Sequence, residues 1–179
     1  MSRSSISSKS SSIALGGILA AVSLLLLWLA GLAPSGRVGL TAVAGLAPVV
    51  GVLASGHAAG YLCWAGAGLL GLILVPDKGI PVLFLLFFGI YPVVKGRIES
   101  MRRLAAEWPL KLAFFNAALS VLWFLLRGLV LPNPPSWLGD SSLILYIAGN
   151  AAFVMYDIGL SKIIAMLMYR LNAGQQRKH

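Results

Sequence analysis

The sequence predicts an all-α, polytopic membrane protein of about six transmembrane helices with both termini cytoplasmic. Composition is the first of three observations behind that expectation: 59% of the 179 residues are hydrophobic, 11% are charged, and the mean hydropathy is +0.89. A water-soluble body of this length would lack the polar surface to cover so much apolar side chain, so the excess has to face lipid. The second observation is a succession of apolar runs divided by turn-forming breakers, and the third is a lopsided distribution of basic residues. Short connections leave no room for a separate soluble module, which predicts one transmembrane domain over residues 13–168.

Residues 1–12 are rich in serine, nearly free of apolar side chains and carry Arg3 and Lys9, the composition of a disordered cytoplasmic lead-in. The apolar run 13–33 is longer than a signal-peptide core, and Pro34 directly after Gly31, Leu32 and Ala33 disfavours cleavage, so an uncleaved first helix is expected. Five further runs follow at 38–54, 58–75, 80–94, 110–131 and 143–168. The second to fourth are short against the roughly 20 residues that span hydrocarbon, which calls for tilt, local thinning or a re-entrant segment. Pro34-Ser35-Gly36-Arg37, Ser55-Gly56-His57, Pro76-Asp77-Lys78-Gly79 and Pro132-Asn133-Pro134-Pro135 each fall between runs, as turn formers should. Residues 169–179 form a basic cytoplasmic tail.

Charge tests this threading. With the N-terminus inside, Arg3, Lys9, Lys95, Arg97, Arg102, Arg103, Lys111, Lys162, Arg170, Arg177 and Lys178 fall on the cytoplasmic side, against Arg37, Lys78 and Arg127 outside. Eleven against three is a positive-inside bias, and an odd number of spans would strand the basic tail outside. The formal charge of +9 is thereby explained by helix ends, and nucleic-acid binding is not expected. Cys63 is the only cysteine, so no internal disulfide and no thiolate metal cluster can form.

Residues 96–108 form the one sizeable cytoplasmic loop. Ile98, Met101, Leu104, Ala105 and Trp108 recur at roughly helical spacing with Arg97, Glu99, Arg102, Arg103 and Glu107 between them, which predicts an interfacial helix. It is either a plain connector or a docking surface for a cytoplasmic partner through Arg102 and Arg103.

Catalytic and cofactor motifs are missing. Gly66, Gly68 and Gly71 match GxGxxG letter for letter, but no strand precedes them and the surrounding run is apolar, so a dinucleotide is rejected. There is no HExxH, GxSxG or P-loop lysine motif, so the chain is expected not to be an enzyme, to hold no metal or cofactor, and to draw no energy from ATP itself. The glycines have a simpler use, since small residues let membrane helices approach closely. On the first helix Gly16, Gly17, Ala20 and Ala21 form overlapping small-xxx-small pairs, which serve internal packing or a partner-binding face.

Polar residues within the apolar runs are the exceptions. A carboxylate at the centre of a span costs about 2.5–3.5 kcal/mol on insertion scales, so Asp157 should face protein or water. Asn150, Asp157 and Ser161 share a helix face, and Asn116 lies at a comparable depth on the fifth helix. These form either a structural polar network or a solute or proton site. At the outer side Arg37, Asp77, Lys78, Arg127, Trp137 and Asp140 form a candidate solute-binding set, with headgroup anchoring the other use for Arg127. Pro48, Pro81 and Pro92 can bend spans around a cavity.

This layout resembles the substrate-binding S components of energy-coupling factor vitamin transporters, small prokaryotic six-helix proteins of the cell membrane. The resemblance covers most of the chain and is one of layout. It implies that Gly16-xxx-Ala20 and Gly17-xxx-Ala21, a looser form of that family's AxxxA pattern, dock a transmembrane coupling protein powered by two ATPase subunits. It also implies a small solute held near the outer face, by the loops at Arg37, at Asp77-Lys78 and at 132–142. The stretch from Pro76-Asp77-Lys78 through Gly89-Ile90-Tyr91-Pro92 to Lys95, with Glu107-Trp108 and Lys111-Leu112, is also similar to uncharacterised bacterial membrane proteins, which implies a recurring fold. The leading expectation is a solute-binding subunit of an ATP-driven micronutrient transporter, and the alternative is a non-transporting scaffold or regulatory protein. An intramembrane enzyme using Asp157 lacks a second acidic or nucleophilic group at that depth.

Overall fold

The structure, a computed structural model, describes residues 3–101, 103–130 and 142–176. Among these the chain is entirely helical: α1 Arg3–Leu32, α2 Arg37–Ala44, α3 Leu46–Ser55, α4 His57–Leu74, α5 Gly79–Leu83, α6 Tyr91–Ser100, α7 Leu104–Ser120, α8 Arg127–Val130 and α9 Ser142–Gln176. Two π-helical segments join them, Phe84–Phe88 between α5 and α6, and Val121–Leu125 between α7 and α8. Six stretches are long and apolar enough to cross a membrane: span 1 Ser10–Leu32, span 2 Arg37–Ser55, span 3 His57–Leu74, span 4 Gly79–Ser100, span 5 Ala105–Leu125 and span 6 Leu143–Arg170. The chain is thus a multi-pass membrane protein by the length and composition of its helices.

Two compact units divide the chain, residues 1–133 with five spans and residues 134–179 with α9. In the first unit α1 packs along α4, α3 packs on α4, and α1 also borders α2 and α3. Span 4 is the centre of this unit, with 67% of its most apolar 18-residue stretch buried against at most 39% in any other span. Small side chains make the packing possible. Gly16, Ala20, Ser23, Leu27 and Ala30 recur every three or four residues as the buried stripe of α1. The added methyl of an alanine at Gly16 would meet Leu62 and the Ala59 carbonyl, and one at Gly66 would meet Ala20.

Contacts at the helix ends fix alternating directions within this unit. Ser12 Oγ donates to the Ser55 carbonyl at 3.5 Å, tying the start of span 1 to the end of span 2. Arg37 reaches Asp77 at 2.8 Å at the opposite end, and Lys111 reaches Glu99 at 2.7 Å where span 4 gives way to span 5. Such pairs meet only when successive spans run antiparallel. Gly36 (φ 73°) and Gly56 (φ 88°) make two of the intervening turns, in a backbone region that side-chain-bearing residues rarely adopt.

Two local expectations differ from this structure. Helix α1 begins at Arg3, within the serine-rich lead-in predicted to lack order; an established span supplies the nucleus, so each added turn needs only propagation. Helix α9 likewise runs on to Gln176, within the basic tail, whose conformation the sequence left open. The interfacial helix expected over 96–108 is not one helix. Residues up to Ser100 finish α6, Leu104 opens α7, and between them Arg103 has an extended backbone (φ −116°, ψ 87°). The apolar periodicity there belongs to two span ends that carry it separately.

Candidate functional site

Spans 2 and 4 are both interrupted near their middles, and prolines account for it. Pro48 has no N–H to give the Ala44 carbonyl one turn earlier, and Pro92 has none for the Phe88 carbonyl. Span 2 accordingly breaks into α2 and α3 at Gly45. Span 4 widens into the π segment, where the Gly89 N–H donates to Phe84 five residues back at 2.8 Å, before α6 resumes at Tyr91.

The two interruptions touch. Gly45 lies against the Phe88 carbonyl so closely that a Cβ would overlap its oxygen, which makes glycine the only residue that fits. Neighbouring spans complete the polar bonding. Ser23 Oγ of span 1 donates to the Ala44 carbonyl at 2.7 Å, and Trp64 Nε1 of span 3 donates to the Leu85 carbonyl at 3.0 Å. The Ser23 hydroxyl also lies 4.0 Å from Cys63 Sγ, and Ser23 and Cys63 are both fully buried. Four spans thus converge near the middles of their lengths on irregular backbone enclosed in protein, the setting in which a bilayer protein tolerates it.

A second constellation lies at the end of the unit where spans 4 and 5 meet. Lys95 and Lys111 each reach the same Glu99 oxygen at 2.7 Å. Lys95 is wholly buried and Lys111 nearly so, while the Glu99 side chain is 40% exposed. The i, i+4 spacing on α6 aligns Lys95 with Glu99, and Lys111 also lies over the Trp108 ring at 5.6 Å. On the adjoining surface the Arg97 guanidinium lies 5.4 Å from the Tyr61 ring centroid.

No known protein family, curated protein or solved structure matches this chain. Its chemistry must be read from its own geometry.

The outer solute set is partly assembled. Arg37 and Asp77 come together at 2.8 Å, with Arg37 Nε also bonded to the Ala33 carbonyl, and Asp77 Oδ1 accepts from the Gly79 N–H. Lys78 Nζ donates to the Ile73 and Val75 carbonyls at the C-terminal end of α4. Arg127 opens α8, but its side chain is outside the described residues, as are Trp137 and Asp140.

Of the intramembrane polar residues, Asp157 is buried on α9 with Phe153 and Leu160, on one face at helical spacing. Ser161 Oγ donates to the Asp157 carbonyl, and Asn150 Nδ2 to the Tyr146 carbonyl. Asn116 belongs to the other compact unit, where its Nδ2 donates to Leu112 and its carbonyl accepts from Ser120. The small residues of α1 separate by function. Gly16 and Ala20 are consumed by packing on span 3, whereas Gly17 and Ala21 are exposed, and a Cβ at Gly17 would meet nothing. Arg103 is exposed, and Arg102 is outside the described residues.

Sequence reasoning missed Ser23, Gly45, Trp64 and the Lys95–Glu99–Lys111 cluster. The available signals were Pro48, four residues after the Ala44 carbonyl that Ser23 meets, and a lysine four residues before a glutamate at a span end; nothing in the sequence marked Trp64.

Proposed function

We propose that this protein is a solute-binding membrane subunit of an ATP-driven uptake system, similar in layout to an S component and resident in a prokaryotic cell membrane. One observation carries the reading: two proline-interrupted spans meet at mid-membrane through Gly45 and Phe88. A helix bundle gains nothing in stability from interrupting its own hydrogen-bond ladder, whereas membrane transporters place solute and ion sites at discontinuous helices near the midplane. The role is one of binding, not catalysis. With no P-loop lysine motif in the sequence, energy has to come from separate ATPase subunits through a transmembrane coupling protein. The outward face of α1 at Gly17 and Ala21 is the docking surface for that coupling protein in this reading. Both termini are cytoplasmic, as the positive-inside bias requires.

The test is purification from native membranes in mild detergent, followed by native mass spectrometry. The reading requires co-purifying coupling and ATPase subunits and a retained small solute, lost in Gly45→Leu. A chain that purifies alone and empty overturns it.

A second reading, a non-transporting scaffold, is favoured by the outer loops, where Arg37, Asp77 and Lys78 spend their polar groups on each other and on backbone carbonyls. In that case charge reversal at Arg102 and Arg103 abolishes a partner interaction, and Asp157→Asn and Arg127→Ala have no effect.

A further inference from the structure

We infer that Arg97 and Tyr61 form a binding site for the phosphate of an anionic phospholipid, at the end of the five-span unit where the basic residues gather. Arg97 lies three residues before the end of span 4, and Tyr61 lies four residues after the start of span 3. At about 1.5 Å of rise per residue, they are roughly 4.5 and 6 Å inside the helix ends, the depth of lipid headgroups. A soluble partner does not reach a guanidinium there, but a lipid phosphate already occupies that depth. Arg97 is exposed, and its guanidinium lies 5.4 Å from the Tyr61 ring centroid, so that the cation and the ring bring spans 3 and 4 together there. Tyrosine is the side chain suited to this depth, with its ring in acyl chains and its hydroxyl among headgroups. Beside Arg97 the backbone is open, for a Cβ on exposed Gly96 would meet nothing within 4 Å.

The nearest carboxylate in sequence does not quench this cation. Glu99 is two residues away, but its Oε1 is held at 2.7 Å by both Lys95 and Lys111. The buried lysines therefore have a consequence at the surface: they draw the one acid of α6 inward and leave Arg97 to outside anions. The surrounding exposed side chains match a lipid ligand. Met101, Trp108 and Leu110, each more than 40% exposed, lie near the same end of the unit as Arg97, and such apolar and aromatic side chains suit acyl chains. Arg103, also exposed, adds charge at the same end, and Glu107 on the first turn of α7 tempers it. Arg97 bidentate on a phosphodiester, with the acyl chains beside Tyr61, is the recognition this arrangement offers.

The test uses the full chain in mixed micelles of phosphatidylglycerol and phosphatidylcholine, with retained phospholipid read by native mass spectrometry. Wild type is expected to retain phosphatidylglycerol in preference to phosphatidylcholine. Arg97→Gln should reduce that preference about fivefold, the effect of one basic residue at an anionic membrane surface. Tyr61→Leu keeps the charge and removes the ring, and should also reduce it. Lys78→Gln, at the opposite end, should not. Equal retention of the two lipids by wild type, or a preference unchanged in both Arg97→Gln and Tyr61→Leu, overturns the inference. So does complete displacement of phosphatidylglycerol by millimolar inorganic phosphate, because the site would then read a free anion. Each variant is checked for a monodisperse elution profile, and Tyr61→Leu decides the matter if Arg97→Gln fails to fold.

Discussion

Trp64 donates its indole N–H to the Leu85 carbonyl across 3.0 Å, joining span 3 to the π segment of span 4 in the middle of the apolar layer. An unsatisfied carbonyl at that depth has no water to turn to, so the bond maintains the irregular segment as well as decorating it. Trp64→Phe keeps the ring and removes the donor. It should lower unfolding stability in detergent by about 1–2 kcal/mol, within the range for a buried acceptor left unmet. Trp28→Phe, at an exposed tryptophan of α1, should be neutral by the same thermal assay.

Gly45 gives the sharpest steric prediction. Its neighbour is a backbone carbonyl, Phe88, which cannot swing aside as a side-chain end would. Gly45→Ala should therefore destabilise by about 1–3 kcal/mol or force the two interrupted spans apart. Gly17→Ala, facing open space on α1, should change stability by less than about 0.5 kcal/mol. Equal melting of the two variants would contradict the close approach.

The two ion-pair sites should respond differently. Glu99→Gln removes the carboxylate shared by two buried lysines and should cost about 3 kcal/mol, toward the low end for such a pair because Glu99 is partly exposed. Asp77→Asn breaks an Arg37 pair that is 46% and 28% exposed, and should cost no more than about 1 kcal/mol, less at high salt. Detergent unfolding at two salt concentrations separates them.

Cys63 is fully buried, so a maleimide should label it only on unfolding. In a Cys63→Ser background, Ser35→Cys, exposed beside Gly36, should label on intact cells and Ser100→Cys only after permeabilisation. The reverse pattern would invert the topology.

Burial of α9 at Asp157 supports one more measurement. Asp157→Leu removes a carboxylate from an apolar run but leaves the neighbouring Phe153 and Leu160 face continuous. If the role of Asp157 is transport, solute retention falls at least tenfold while insertion improves; if its role is structural, stability falls with no separate effect on retention.

Much of the architecture was legible in the linear chain because lipid solvation acts on composition. Runs of apolar residues cannot be hidden by any folding of a body this small, and the breakers between them are chemically unambiguous. The GxGxxG match was also readable as packing: Gly68 abuts Leu85 and Gly71 abuts Pro81, as small residues in an apolar helix should. The candidate site was less legible, because its ingredients look ordinary one at a time. Ser23 is one serine in an apolar run, and Trp64 one aromatic among many. Lys95 and Lys111 count as two ordinary positive-inside charges until their common carboxylate is seen.

What the sequence determined by itself is a set of about six apolar segments able to cross a membrane and the helix ends that gather positive charge, since both follow from transfer free energies that depend on residue type and order alone. What only the tertiary structure decided is the pairing: Ala44 with Ser23, Leu85 with Trp64, Gly45 with Phe88, and Glu99 with two lysines. A proline announces which carbonyl it leaves without a backbone donor. It does not announce which neighbouring helix brings another, because that depends on how the spans pack in three dimensions.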